Sequence, residues 1–252
     1  MTPQLAYLWL EAKRQWRNRE ALVFRLGLPT AVYLILQATG QGSDDTISTA
    51  PGMDPLPAAT ARMVALVALA ALISGLAAGP ALGEERASDW LRQLRVTPLR
   101  QSVAVTAKMA VAMSFALPAI ALVAVAAGLT EDIGLGWPAW LALVGSAWIA
   151  TTPITAVGTL IGLGFRAETA QAATTMAFLV LWLLGGIFTE PANMPDTLAT
   201  VAKALPSYGV VQVAWSAASG DTVPASALAV LAAWTAGAGA LATLAWRRVV
   251  AR

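Results

Sequence analysis

Long apolar runs alternate with short polar segments along most of this chain. A helix of about 20 apolar residues crosses the hydrocarbon core of a bilayer, and six runs are long enough. They predict six transmembrane helices: Ala21–Thr39, Ala58–Leu82, Gln101–Leu129, Pro138–Phe165, Thr169–Phe188 and Ala225–Trp246. The pattern therefore predicts an all-α membrane protein, with residues 1–252 forming one transmembrane domain.

The first 20 residues have a different pattern. Apolar residues recur at helical spacing, while the basic residues Lys13, Arg14, Arg17 and Arg19 face away from them. The apolar set is Leu5, Leu8, Trp9, Ala12 and Trp16. A helix with one apolar and one basic face is typical of the membrane surface. Residues 1–20 are therefore predicted to form an interfacial helix.

The segment Gly83–Arg100, between the second and third spans, is unusually charged for a protein with only 12% charged residues. Ser88 is a suitable N-cap residue, and Trp90, Leu91 and Leu94 then fall on one face of a helix. The pattern predicts a short amphipathic helix on the membrane surface. Its apolar face needs either lipid headgroups or another protein.

The segment Thr189–Pro224, between the fifth and sixth spans, contains the apolar run Tyr208–Ala218. That run is too short to cross about 30 Å of hydrocarbon. Pro195 and Pro206 each suit the first turn of a helix. We predict two short re-entrant helices, which dip into the membrane and return to the same side.

The distribution of Lys and Arg predicts the orientation. Twelve of the 16 basic residues fall on one side of the six-span arrangement, which the positive-inside rule assigns to the cytoplasm. Arg25 and Lys108 lie near that side within their spans, and only Arg62 and Lys203 lie opposite. The twelve are Lys13, Arg14, Arg17, Arg19, Arg86, Arg92, Arg95, Arg100, Arg166, Arg247, Arg248 and Arg252. Both termini are therefore predicted to be cytoplasmic, in a multi-pass plasma-membrane protein.

The composition excludes several kinds of catalytic and metal site. The chain has no cysteine and no histidine, which excludes thiolate and histidine metal sites and Ser-His catalysis. No span carries an ionisable residue near its middle, which argues against an ion-coupled transporter. No G-x-x-x-x-G-K-[ST] motif occurs, so this chain is not expected to hydrolyse nucleotide. The pattern favours a transporter that a partner supplies with energy, and it predicts no catalytic residue.

Two motifs carry a family resemblance. Glu84-Glu85-Arg86 is followed by Leu91, Leu94 and Thr97-Pro98, and Gly185–Phe188 is followed by Met194-Pro195, Ala202-Lys203 and Leu205-Pro206. With the six spans, these motifs resemble the permease subunits of ABC-2 type ABC transporters. Ala87-Ser88 departs from the Gly-[ST] pair that many members have at this point.

The resemblance implies a function and partners. The cytoplasmic helix between spans 2 and 3 would be a coupling helix that docks on a separate ABC ATPase subunit, and the N-terminal helix would be the connecting helix. The family works as a permease dimer, with an identical or a homologous second copy, and two ATPases that bind ATP and Mg. The implied activity is export of an apolar or amphipathic compound, such as a drug, antibiotic or lipid-like molecule. The coupling candidates are Glu84, Glu85, Arg86, Ser88, Trp90, Leu91 and Leu94.

The resemblance also places a substrate cavity between spans 2 and 5 of the two protomers. The span 5 candidates, Thr174, Phe178 and Trp182, share one helical face, and Phe188 would form a gate at its outer end. The span 2 candidates are Met63, Leu66 and Ile73. An aromatic stripe of this kind is more often part of helix packing or of a lipid-facing surface than of a ligand site.

Three alternatives stay open on the sequence. The glycine pairs Gly75/Gly79 and Gly158/Gly162 permit close helix approach, either within one protomer, which is favoured, or at a dimer seam. The substrate could instead be a polysaccharide or a lipid-linked glycan. The chain could also be a membrane scaffold or sensory protein that binds a cytoplasmic signalling partner; co-purification of an ATPase would separate this possibility from transport.

Overall fold

The computed structural model describes residues 3–39, 46–47, 54–87, 101–187 and 194–251. Six helical segments are long and apolar enough to cross a membrane, as the hydrophobic pattern predicts. They are called spans 1 to 6: Arg19–Ala38, Ala58–Ala87, Thr106–Thr130, Trp137–Gly164, Ala167–Leu184 and Ala225–Arg248. The chain is thus an all-α multi-pass membrane protein, apart from the strand pair Thr46–Ile47 and Leu56–Pro57.

The N-terminal helix, Pro3–Trp16, precedes a composite span 1. Asn18 caps the start of span 1, because its side-chain oxygen accepts a hydrogen bond from the backbone N–H of Ala21. Span 1 comprises Arg19–Leu22, a π-helical turn Val23–Gly27 and Leu28–Ala38. Pro29 lacks an N–H for the carbonyl of Arg25, so the regular helical pattern cannot continue through this turn.

Spans 2 and 4 each consist of two helical segments with one intervening residue. Span 2 comprises Ala58–Leu76 and Ala78–Ala87, and span 4 comprises Trp137–Ala150 and Thr152–Gly164. In each case a proline, Pro80 or Pro153, follows the interruption within three residues. The missing proline N–H leaves the carbonyl four residues earlier without its helical donor, which favours an interruption at both places.

The remaining long helices, Gln101–Thr130 and Ala225–Ala251, contain spans 3 and 6 and extend beyond them. Span 5 is the helix Ala167–Leu184, which is shorter than the predicted Thr169–Phe188 at its C-terminal end. Gly185 and Gly186 follow that helix, and the positive φ of 73° at Gly186 is a conformation that suits glycine.

Span 2 forms the centre of the fold. In its most hydrophobic stretch 89% of the residues are buried, compared with 11% in span 1 and 17% in span 5. It packs against spans 3, 4 and 5. Spans 1 and 5 therefore lie at the periphery, where Val23, Phe24, Met176 and Leu183 are exposed. Such apolar surfaces are available to lipid or to a second subunit.

Two short helices connect spans 5 and 6, as predicted for this segment: Asp196–Lys203 and Pro206–Ser219. The second is buried along most of its length against span 2, span 4 and span 6. Trp215 donates a hydrogen bond to the carbonyl of Asp54 at 3.1 Å, and Asp221 accepts one from the N–H of Asp54 at 3.3 Å. The end of the connection therefore lies beside the start of span 2.

Candidate functional site

Four charged side chains from three elements meet at one end of the bundle. Glu11 and Arg14 are one turn apart on the N-terminal helix, Glu85 lies in the last turn of span 2, and Lys108 lies near the start of span 3. We call these residues the ion-pair cluster. It contains two carboxylates and two cations, so its formal charge is balanced.

Each cation of the ion-pair cluster contacts both carboxylates. Arg14 and Lys108 each form a direct ion pair with Glu85. The Nζ of Lys108 lies 3.4 Å from Oε1 of Glu11, and Nη2 of Arg14 lies 3.5 Å from the same oxygen. Gln15 also donates a hydrogen bond to Glu11 at 3.0 Å. The cluster thus connects the N-terminal helix to spans 2 and 3.

The cluster is mostly shielded from solvent. The side chains of Glu11, Glu85 and Lys108 are 3%, 4% and 4% exposed, whereas Arg14 is 49% exposed. Burial alone would raise the pKa of Glu11, but Lys108, the Gln15 hydrogen bond and Arg14 outweigh burial and lower that pKa. Glu11 therefore remains a carboxylate. A buried charge is costly unless it is paired, so the position of each member depends on the others.

Arg86 follows Glu85 but contacts a different neighbour. Its guanidinium donates hydrogen bonds to the carbonyls of Gly162, Leu163 and Phe165 at 3.4, 2.5 and 2.9 Å. These carbonyls lie at the C-terminal end of span 4, where helical carbonyls have no intrahelical donor. Adjacent residues of span 2 thus contact the N-terminal helix on one side and span 4 on the other.

A seam of small residues joins spans 2 and 4 and leads to Arg86. A Cβ atom on Gly158 would lie 2.8 Å from the carbonyl oxygen of Gly75, and one on Gly162 would lie 2.5 Å from that of Gly79. The two backbones therefore touch, as small-residue pairs allow in membranes. Gly83 continues the stripe, with its would-be Cβ 3.0 Å from Ala170 of span 5. This confirms that the glycine pairs pack within one chain.

The three described coupling candidates have different environments. Glu85 belongs to the ion-pair cluster, Arg86 contacts span 4, and Glu84 is exposed. Because span 2 remains helical to Ala87, all three belong to its last turns. The other four candidates, Ser88, Trp90, Leu91 and Leu94, lie outside the described residues.

Sequence reasoning did not identify Glu11 and Lys108 as partners of Glu85. Two signals were present: Glu11 is an acidic residue in a predominantly basic helix, and Lys108 is a cation in a long apolar run.

Aromatic contacts also hold the N-terminal helix. Trp16 of this helix stacks on Phe115 of span 3 with ring centroids 4.7 Å apart, and Lys13 lies over the ring of Trp9. The N-terminal helix is therefore packed against the bundle as well as amphipathic.

The candidates for the substrate path lie in or beside the main core. Met63 and Leu66 are fully buried and Ile73 is 9% exposed within the single chain. Phe178 and Trp182 pack against the same core and stack on each other, with centroids 5.9 Å apart. Thr174 is buried, and a Cβ on Gly79 would lie 2.6 Å from its hydroxyl oxygen. Phe188 lies outside the described residues.

Comparisons with known proteins identify the family. The family model described as "ABC-2 type transporter" matches residues 5–241. The chain is also similar to the Bacillus subtilis (strain 168) protein named "Putative transport permease YvfS", with 29% identity over 141 residues. That similarity covers 55% of this chain and 57% of the relative's own length. Because the family model matches nearly the whole chain, the protein belongs to the ABC-2 type transporter family.

Proposed function

We propose that this chain is the permease subunit of an ABC exporter and that a separate ATPase subunit, which binds ATP and Mg, supplies the energy. The observation that carries the proposal is the family match over residues 5–241. The absence of a G-x-x-x-x-G-K-[ST] motif from this chain supports a separate ATPase. A second copy of the chain, or a homologous permease, would complete the transporter.

The end of span 2 is the part of the fold best suited to transmit force. The helix of span 2 continues to Ala87, directly before the predicted coupling helix. Glu85 contacts the N-terminal helix and span 3, and Arg86 contacts span 4. A displacement of residues 88–100 by an ATPase would therefore act on span 2, the centre of the core, and on three neighbouring elements.

The docking step is tested by Leu94→Asp, which introduces a charge on the apolar face of the predicted coupling helix. Burying a leucine side chain contributes about 1.5–3 kcal/mol, so we expect roughly a 10-fold or greater loss of ATPase association. The measurement is the amount of ATPase subunit that co-purifies with the permease at equal expression, together with substrate-stimulated turnover.

The matched control is Leu198→Asp, on the short helix Asp196–Lys203, where Leu198 is 42% exposed. It makes the same chemical change at a position remote from residues 88–100 in the six-span arrangement and should leave association intact. Normal ATPase recovery and turnover with Leu94→Asp would contradict the coupling role.

We also propose that both termini are cytoplasmic and that the two short helices between spans 5 and 6 are re-entrant from the outside. Arg14 and Arg86 lie at the end of the bundle that carries the ion-pair cluster. Arg62, which donates to Gln37, lies at the other end. The contacts of Trp215 and Asp221 with Asp54 support a return of the connection to that second end.

Cysteine labelling tests this orientation in a chain without native cysteine. Thr197 lies in the first turn of the first short helix and Thr222 follows the second, and both are exposed. Thr169 is exposed near the start of span 5. We expect Thr197→Cys and Thr222→Cys to react with an impermeant maleimide on intact cells, and Thr169→Cys to react only after permeabilisation. Labelling of residues 197 and 222 from opposite sides would refute the six-span arrangement.

For the substrate, we propose an apolar or amphipathic compound such as a drug or antibiotic, moved outward. Span 5 supports this class, because Glu168 in its first turn is its only charged residue. The stacked Phe178 and Trp182 present a flat aromatic surface that is only partly covered within one chain. In a dimer this surface would be available to line a central cavity.

A further inference from the structure

A polar cleft lies between the N-terminal helix, the beginning of span 1 and the end of span 2. Its volume is about 330 Å³, and its polar lining comprises Arg14, Gln15, Asn18, Arg25, Glu84 and Glu85. The proposed coupling role uses Glu85 and its partners but leaves the cleft itself without a function.

The cleft is electrically neutral overall, and two of its charged side chains have no ion-pair partner among the described residues. Arg14 and Glu85 form an ion pair with each other. Arg25 and Glu84 form no salt bridge within the part of the chain that the structure describes. One available cation and one available carboxylate therefore line the same cleft.

Arg25 is held in a position that suits an oxyanion. It lies in the π-helical turn Val23–Gly27, and such turns occur frequently at functional sites. Its Cζ lies 5.3 Å from the centroid of the Phe115 ring. This cation–π contact occupies none of the guanidinium N–H groups in a hydrogen bond, so they can donate to a phosphate.

Arg25 lies near the start of span 1, from where its long side chain can extend toward a lipid headgroup at the membrane surface. It is the seventh residue of span 1, which places it about 9 Å along the helix axis from Arg19. Val23 and Phe24, on the same turn, are 72% and 59% exposed and offer an apolar surface for acyl chains. A ligand with a polar head and an apolar tail fits this combination of surfaces.

We propose that this cleft binds the headgroup of phosphatidylethanolamine, with the phosphate on Arg25 and the ammonium on Glu84. A purely anionic headgroup would leave Glu84 without a counter-charge, and a quaternary ammonium cannot donate hydrogen bonds to a carboxylate. The side-chain oxygen of Asn18 caps Ala21, which leaves its NH₂ group available to donate to the phosphate. A bound lipid would join the N-terminal helix to spans 1 and 2.

Native mass spectrometry of the purified full-length permease tests the proposal. Phosphatidylethanolamine, phosphatidylcholine and phosphatidylglycerol with identical acyl chains are titrated onto delipidated protein. We expect phosphatidylethanolamine to bind roughly 10-fold more tightly than the other two lipids, the difference that charge-assisted hydrogen bonds typically supply. Arg25→Gln should weaken the binding of phosphatidylethanolamine by roughly the same factor. Arg25→Lys should bind this lipid more tightly than Arg25→Gln but less tightly than the unmodified protein.

Glu84→Gln and Arg62→Gln complete the test. Glu84 is exposed, so its substitution should leave the fold intact and specifically remove the preference for phosphatidylethanolamine over phosphatidylcholine. Arg62→Gln removes a cation at the other end of the bundle and should leave the binding of all three lipids unchanged. If Arg25→Gln fails to fold, the Glu84→Gln comparison alone decides.

Three results would overturn the proposal: equal binding of the three lipids, unchanged selectivity in Glu84→Gln, or displacement by inorganic phosphate at the concentration at which phosphatidylethanolamine binds. The last result would indicate a site for free phosphate instead of a lipid. The assay contains no ATPase, so none of these results bears on the proposed coupling role.

Discussion

Replacing Glu85 with glutamine is expected to destabilise the permease by about 3–5 kcal/mol, the usual cost of breaking a buried ion pair. Glu85 pairs with both Arg14 and Lys108, and its contacts with them are shorter than those of Glu11. Without the charge of Glu85, the two cations would share Glu11 as their one carboxylate within the cluster. Lys108 lies 3.4 Å from Glu11, and Arg14 lies 3.5 Å from it. The measurement is the thermal unfolding midpoint of the purified permease in detergent.

The neighbouring carboxylate provides the matched control. Glu84 is exposed and forms no salt bridge within the described ranges, so Glu84→Gln should change stability by no more than about 0.5 kcal/mol. Equal unfolding midpoints for Glu84→Gln and Glu85→Gln would contradict the buried ion-pair cluster.

A double-variant cycle separates lost pairing from lost packing. Lys108→Met removes the buried cation, and combining it with Glu85→Gln leaves Glu11 and Arg14 as a balanced pair. The double variant should therefore be more stable than Glu85→Gln alone, with a coupling energy of about 0.5–3 kcal/mol. Additive losses would show that Glu85 contributes through packing instead of charge.

The sequence predicts the six spans because a run of about 20 apolar residues has few alternatives to a membrane. It does not predict which span is central. Spans 2 and 3 have similar hydropathy, 2.1 and 2.3, yet 89% of the most hydrophobic stretch of span 2 is buried and only 44% of that of span 3. Burial depends on which helices surround a span, and hydropathy contains no such information.

The sequence likewise does not predict which prolines interrupt a helix. Pro80 and Pro153 follow interruptions of spans 2 and 4, whereas Pro118 lies within the continuous helix Gln101–Thr130. All three lack an N–H, so a missing N–H permits an interruption of the helix without requiring one. Residue type alone therefore identifies candidate kinks but does not select among them.

The sequence predicts the charged residues at the end of span 2 but not their contacts. Glu84, Glu85 and Arg86 are visible as a charged group, but only the fold distinguishes the exposed Glu84 from the buried Glu85. Glu11 and Lys108 are 97 positions apart in the numbering and meet because the N-terminal helix packs on span 3. A pairing at that separation follows from helix docking and has no local signature.

The seam between spans 2 and 4 gives the second large expected effect, through Gly162→Ala. The added Cβ would lie 2.5 Å from the carbonyl oxygen of Gly79 and 2.6 Å from Cβ of Leu82. Neither atom is the far end of a flexible side chain, so the two helices must move apart. Overpacking of this kind costs about 1–3 kcal/mol, and we expect a correspondingly lower unfolding midpoint in detergent.

The matched control for Gly162→Ala is Gly145→Ala, a glycine in the other helical segment of span 4 with no atom within 4 Å of a would-be Cβ. Alanine there should be neutral or stabilising by up to about 1 kcal/mol, because glycine is the weaker helix former.

The seam ends where Arg86 donates to the carbonyl of Gly162, so separation of the helices should also weaken that contact. Gly162→Ala should then impair coupling to the ATPase as well as stability, whereas Gly145→Ala should preserve both. Equal unfolding midpoints for the two alanine variants would show that spans 2 and 4 do not touch through their backbones.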